Sequence, residues 1–146
     1  MNTLQCTDLD YLKSTYFPDT GLLHFDWIGD DLSNDQIIEG ADIMIQDIKK
    51  NNPIKVINDN TNYAGKFDFE DTINYVNEYW FPQLMGTTVK RYAHVLSEEF
   101  GAKLSAAMIS KAFNAINSNY NSDLQFMVFK TMDVAKVWLN ELDTKS

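Results

Sequence analysis

The chain has 146 residues, 45% hydrophobic and 13% aromatic, enough for one domain with a real core. Twelve Lys and Arg stand against 21 Asp and Glu, a net charge of −9, which excludes nucleic acid and an anionic membrane surface as partners. Cys6 is the sole cysteine, so there is no internal disulfide and no thiolate-cluster metal site; the sequence implies no metal and no cofactor.

Residues Met1 to Lys13 lack the basic and apolar regions of a signal peptide, and no stretch approaches the roughly 18 apolar residues of a membrane span. A cytoplasmic location is expected. Met1 to Leu9 reads as a loose lead-in, as do residues 143–146 at the other end. Tyr11 to Phe17 is β-prone, and Pro18-Asp19-Thr20-Gly21 is a turn: proline presets φ and glycine takes the left-handed position. Leu22 to Ile28 then alternates, with Leu23, Phe25 and Trp27 on one side and His24 and Asp26 on the other. The two segments form a hairpin.

Ser33 opens the first helix, at capping-box spacing from Gln36. Ile37, Ile38, Ala41, Met44, Ile45 and Ile48 form its apolar stripe, Lys49-Lys50 suits its negative end, and Asn51-Asn52-Pro53 stops it. Ile54 to Thr61 is an apolar run, read as the central parallel strand, reached by a right-handed crossover. Thr61 to Lys66 reads as a polar loop. A second helix starts at Asp68 and buries Phe69, Ile73, Val76, Trp80 and Leu84. Pro82 predicts a kink near Glu78–Trp80, and Gly86 the end. Val89 to Leu96 is a strand, Ser105 to Ile116 a helix, Leu124 to Phe129 a strand, and Val134 to Leu142 a helix with Val134, Val137, Trp138 and Leu142 inward.

The order ββαβαβαβα gives a single α/β domain over residues 1–146: a mostly parallel five-stranded sheet, an N-terminal antiparallel hairpin, and helices mainly on one face. Leu23, Phe25, Trp27, Ile54, Val56, Ala93, Val95, Phe126 and Val128 are expected under the helices. His24, Asp26, Lys55, Ile57, Tyr92, His94, Met127 and Phe129 are expected opposite. That second face is mixed, and a parallel sheet is normally covered on both sides. The N-terminal segment, a ligand or a second subunit would cover it.

Four short stretches resemble one family: Tyr16-Phe17-Pro18-Asp19-Thr20-Gly21, Trp80-Phe81-Pro82, Phe100-Gly101-Ala102-Lys103-Leu104-Ser105 and Val134-Ala135-Lys136-Val137-Trp138-Leu139. The chain resembles the STAS-like (SpoIIAA-like) family, related to the sporulation anti-anti-sigma factor, and within it a bacterial branch typical of Bacteroidetes with no agreed activity. The resemblance implies a four-turn β/α superhelix, a fold shared with CRAL-TRIO lipid-binding domains. Phosphoswitch members carry a serine, closely followed by glycine, just after the central strand. Here that region is Asn58-Asp59-Asn60-Thr61-Asn62-Tyr63-Ala64-Gly65, with Thr61 the nearest hydroxyl. The departure speaks against a kinase-controlled switch.

No nucleophile elbow, P-loop or dinucleotide fingerprint is present, and the paired carboxylates sit at helix starts, where they suit the dipole. No catalytic residue is expected. Ligands of parallel sheets bind beyond the carboxyl ends of the strands. Asp59, Asn60, Thr61, Tyr63 and Ser97 are the candidates there, while His24, Tyr92 and His94 are candidates for a dimer face. The expected function is a non-enzymatic regulatory or interaction module that pairs with itself or with another protein. The alternative is a binder of a small apolar ligand or lipid, with Tyr79, Trp80, Met108 and Phe113 lining a pocket between the second and third helices.

Overall fold

The computed structural model describes residues 3–29, 32–63, 75–95 and 124–144. The expected third helix, Ser97, Met108, Phe113 and the start of the second helix lie outside them. Six strands lie side by side in sequence order: β1 (Leu4–Asp8), β2 (Leu12–Phe17), β3 (Leu22–Gly29), β4 (Lys55–Tyr63), β5 (Arg91–Val95) and β6 (Gln125–Phe129). β1, β2 and β3 run antiparallel; β3, β4, β5 and β6 run parallel.

The β2–β3 hairpin forms where the turn residues placed it. Gly21 sits at φ +72°, strained for any side chain, and its N–H donates to Phe17 O at 2.9 Å. β1 is a correction: the expected lead-in is a strand, making the sheet six-stranded. Its five residues show no alternation of burial, so periodicity could not reveal it. It pairs antiparallel with β2, and side-chain hydrogen bonds tie this edge to α1. Asp47 accepts from Thr7 Oγ1 at 2.6 Å and from Ser14 Oγ at 2.7 Å, and Asn51 Nδ2 reaches Cys6 Sγ at 3.3 Å.

Helix α1 (Asn34–Asn51) begins at the expected capping box: Gln36 N–H donates to Ser33 Oγ at 3.2 Å and Ser33 N–H to Gln36 Oε1 at 3.0 Å. Ile37, Met44, Ile45 and Ile48 are buried as expected, joined by Gly40 and Asp47. Asn52 ends the helix in the left-handed region at φ 52°. β4 begins one residue later than expected, leaving Ile54 46% exposed outside the strand. It also runs on through Tyr63, where a loop was expected. An extra residue in β4 between Asp59 and Asn62 makes a bulge against β3.

A π-helical turn (Val76–Trp80) leads into helix α2 (Phe81–Met85). The expected kink is this π-turn, and Pro82 lies in the first turn of α2, where a missing N–H breaks no bond. Trp80 Nε1–H donates to Ala41 O at 2.9 Å and pins the turn to α1.

The expected division of sheet faces fails on β5. Leu23, Val56, Tyr92 and Phe126 share one row of the register, and Phe25, Asn58, His94 and Val128 share another. Both rows face α1 and α2 in the main core, with Trp27, Met44, Ile48, Trp80, Phe81 and Leu84. Ala93 and Val95 lie on the other face, packed with Ile57 and Phe129 against Ala135 and Leu139 of helix α3 (Met132–Thr144). β5 is almost wholly buried on both faces, so its sequence carries no inside–outside alternation and only register sets its phase. α3 is the exception among helices that lie mainly on one face, since it packs on the other. It follows the last strand, connects no parallel pair, and is therefore free of the crossover rule. Ala135 and Leu139 point inward, whereas Val134 and Val137, expected inside, are 55% and 67% exposed.

Candidate functional site

The residues singled out from the sequence divide between the two faces. On the α3 face His24 Nε2 lies 3.0 Å from Asp59 Oδ2, and Asp59 Oδ1 accepts from Thr61 N–H at 2.9 Å and Thr61 Oγ1 at 2.6 Å. Burial raises the Asp59 carboxyl. The His24 and Thr61 hydrogen bonds, with the charge of His24, outweigh it and hold the group below the usual carboxylate range. The bulge after Asp59 is what turns Thr61 back onto it. The His24 ring Nδ1 makes no hydrogen bond among the described residues. Asn62 Nδ2 donates to Asp26 Oδ1 at 3.1 Å beside this cluster. No hydroxyl or thiol of the described residues is hydrogen-bonded to His24, so the pair reads as a histidine satisfied by a carboxylate. Tyr63, at the strand end, is 3% exposed and packs in the main core.

His94 and Tyr92 are on the other face. The expected common face for both histidines is therefore corrected: the sheet separates them, and they cannot share a ligand. Asn58 Nδ2 approaches His94 Nδ1 at 3.3 Å and Asn60 Nδ2 approaches His94 Nε2 at 3.5 Å. Asn60 Nδ2 also donates to Val95 O at 3.1 Å and Asn58 O at 3.3 Å. Desolvation by burial pushes His94 down to about 4 and Tyr92 well up. His94 is half-buried and borders a cavity.

That cavity encloses about 90 Å³ and is half-open to solvent. Its described walls are Trp27 of β3, Ala41 of α1, Trp80 and Phe81 of the π-turn and α2, and Tyr92 and Phe126 of β5 and β6; Asn58, Asn60 and His94 form its polar end. Tyr92 and Phe126 stack at 5.1 Å, and Trp80 meets Tyr92 edge-on at 5.5 Å. The cavity thus unites Asn60, Tyr92, His94 and Trp80, which sequence reasoning had put in three separate groups. Tyr79, a pocket candidate, is instead 59% exposed. Trp27, Ala41, Phe81 and Phe126 were missed as walls. The available signal was the pair Asn58 and Asn60, two apart on a strand and so on one face, within a run otherwise fit for core.

A second void of about 160 Å³ lies between β3, β4 and α3, bordered by Leu22, Lys55 and Lys136. It sits at the starts of the strands, the opposite end from where parallel sheets bind ligands. Among the described residues no three His, Cys, Asp or Glu side chains cluster for a metal, and no helix is long and apolar enough to cross a membrane. Against known proteins, no family profile, curated protein or solved structure matches this chain.

Proposed function

We propose that the protein is a small-molecule binder whose site is the cavity between α1, α2 and the sheet. The observation that carries the reading is the polar end of that cavity. Asn58, Asn60 and His94 stand on a core face where apolar residues would avoid the desolvation cost of burying amides and an imidazole. They lie toward the carboxyl ends of parallel strands, the usual place for a ligand. The volume narrows the class. Enclosed ligand pockets run to roughly 300–1,000 Å³, and benzene fits a cavity of about 150 Å³. A void of about 90 Å³ takes one compact group and leaves the rest of a ligand in the mouth, which argues against an enclosed lipid chain.

The test is a fragment titration followed by NMR at the Trp27 and Trp80 indole N–H signals. In Ala41→Leu the added carbons fill the void while the Ala41 carbonyl that holds Trp80 is kept. Compact fragments should bind the natural protein and lose at least about tenfold in affinity, about 1.4 kcal/mol, in the variant. No binding, or equal binding in a folded Ala41→Leu, refutes the reading.

A second reading follows the STAS-like resemblance: a regulatory interaction module that self-associates. What supports it is the exposure of Val134 and Val137, one turn apart on α3, and of Met127 on the edge strand β6. Sedimentation should then find a dimer that Val137→Lys dissociates. A monomer at every concentration removes this reading.

A further inference from the structure

The hydrogen bonds around the cavity's polar end leave a specific set of atoms over. Asn60 commits its amide hydrogens to two backbone carbonyls, Asn58 O and Val95 O. Two acceptors fix which end of that amide is nitrogen. The oxygen Oδ1 is therefore the spare atom, and nothing among the described residues donates to it. Asn58 sets its Nδ2 against His94 Nδ1 and the Tyr92 hydroxyl, and its own Oδ1 is buried with no hydrogen bond. His94 is neutral at pH 7, since burial holds it down to about 4, so it carries one ring hydrogen. With the Asn58 amide nitrogen set against Nδ1, we assign that hydrogen to Nε2. The nearest group to Nε2 is the Asn60 nitrogen, a donor whose hydrogens are already used. The polar end therefore offers one buried oxygen that needs a donor, on Asn58, a second spare oxygen on Asn60, and one N–H that needs an acceptor.

Among the described residues the remaining walls carry no charge. No Lys, Arg, Asp or Glu is among the described lining residues, and the aromatic rings bury whatever enters. An ammonium or carboxylate there would lose its hydration without gaining a counter-charge from the described walls. A purely apolar group would leave the buried Asn58 oxygen unpaired.

We propose that the cavity recognises the edge of an uncharged amide or lactam, its N–H donating to the asparagine oxygens and its C=O accepting from His94 Nε2–H. This rests on the cavity being the binding site and adds the ligand's chemical class. The rest of the molecule extends through the half-open mouth.

Three five-membered rings of nearly equal size separate the possibilities: 2-pyrrolidinone has the N–H and C=O edge, cyclopentanone lacks the N–H, and pyrrolidine is a cation at neutral pH. Each is titrated into the natural protein by NMR. 2-Pyrrolidinone should bind at least about tenfold more tightly than either of the others. The preference over cyclopentanone should fall to within about twofold in Asn60→Leu, which deletes an acceptor oxygen. Should that variant not fold, His94→Phe should instead weaken 2-pyrrolidinone and cyclopentanone alike, since it deletes the N–H that both carbonyls use. An unchanged affinity of both in a folded His94→Phe overturns the inference. Equal binding of cyclopentanone, or tighter binding of pyrrolidine, overturns the amide inference while leaving the cavity as a ligand site. Failure of all three to bind, together with no effect of Ala41→Leu on any fragment, overturns both.

Discussion

Gly40→Ala sets local propensity against packing. Gly40 lies inside α1, where alanine is normally better by about 1 kcal/mol. Judged on the helix alone, the change stabilises. In the fold a Cβ on residue 40 would lie 2.3 Å from Trp27 Cη2, 2.8 Å from Cζ3 and 3.2 Å from Cζ2. Ordinary carbon contacts start near 3.5 Å, so helix and ring must part by about 1.2 Å. Trp27 is 6% exposed, and the free space it borders is the cavity. Overpacking of this kind costs about 1–3 kcal/mol. Taking the upper half of that range and the propensity gain together, the net loss is about 1–2 kcal/mol, or roughly 2–8 °C in Tm for a chain of this size. Thermal denaturation followed by circular dichroism measures it, and fragment titration gives a second readout, since a displaced indole occupies the binding volume. A rise in Tm with fragment binding intact would show that Gly40 is not a spacer for Trp27, and the account of α1 packing would be wrong.

The remaining predictions concern charge and capping. Asp59 has a depressed folded pKa, so its contribution is present above about pH 3.9 and is lost as pH falls below that; Asp59→Asn should lower stability at pH 7 and flatten the acid limb of a Tm–pH profile. His94 is also depressed, to about 4, but as a base. The unfolded chain binds its proton near pH 6.5, so stability is full above that and falls between about pH 6.5 and 4, by up to about 3 kcal/mol before cavity hydration is counted. His94→Phe should remove the slope in that window, and an unchanged slope would contradict the buried, neutral ring. Ser33→Ala deletes the cap of α1 and should cost about 1 kcal/mol in urea denaturation, with no effect on fragment affinity. Diethylpyrocarbonate, read by mass spectrometry, should modify His24 well before His94; the reverse order would contradict the assignment of the two histidines to opposite faces.

Local chemistry fixed what the chain alone could express. The Pro18–Gly21 turn, the Ser33/Gln36 capping box, the stop at Asn52-Pro53 and the disturbance before Pro82 each depend on residues within a few positions of one another, and each is found where it was read. The alternation of β3 likewise identified Leu23, Phe25 and Trp27 as core, because one side of that strand meets α1 and the other is less covered. β1 was illegible because its burial does not alternate: it pairs with the neighbouring β2, but the side chains that tether it, Asp47 and Asn51, lie some 40 residues away. The phase of β5 was illegible because a strand buried on both faces has no polar side to betray it. The position of α3 was illegible because no crossover rule governs a helix after the last strand. The cavity belongs to this second kind. Asn58, Asn60 and His94 are ordinary polar residues on two strands until the β4–β5 register sets them together, and the ring of Trp27 becomes a wall only because Gly40 lets α1 approach it. Sequence settles interactions whose partners are near in the chain; a binding site made by register and close approach exists only once distant segments have met.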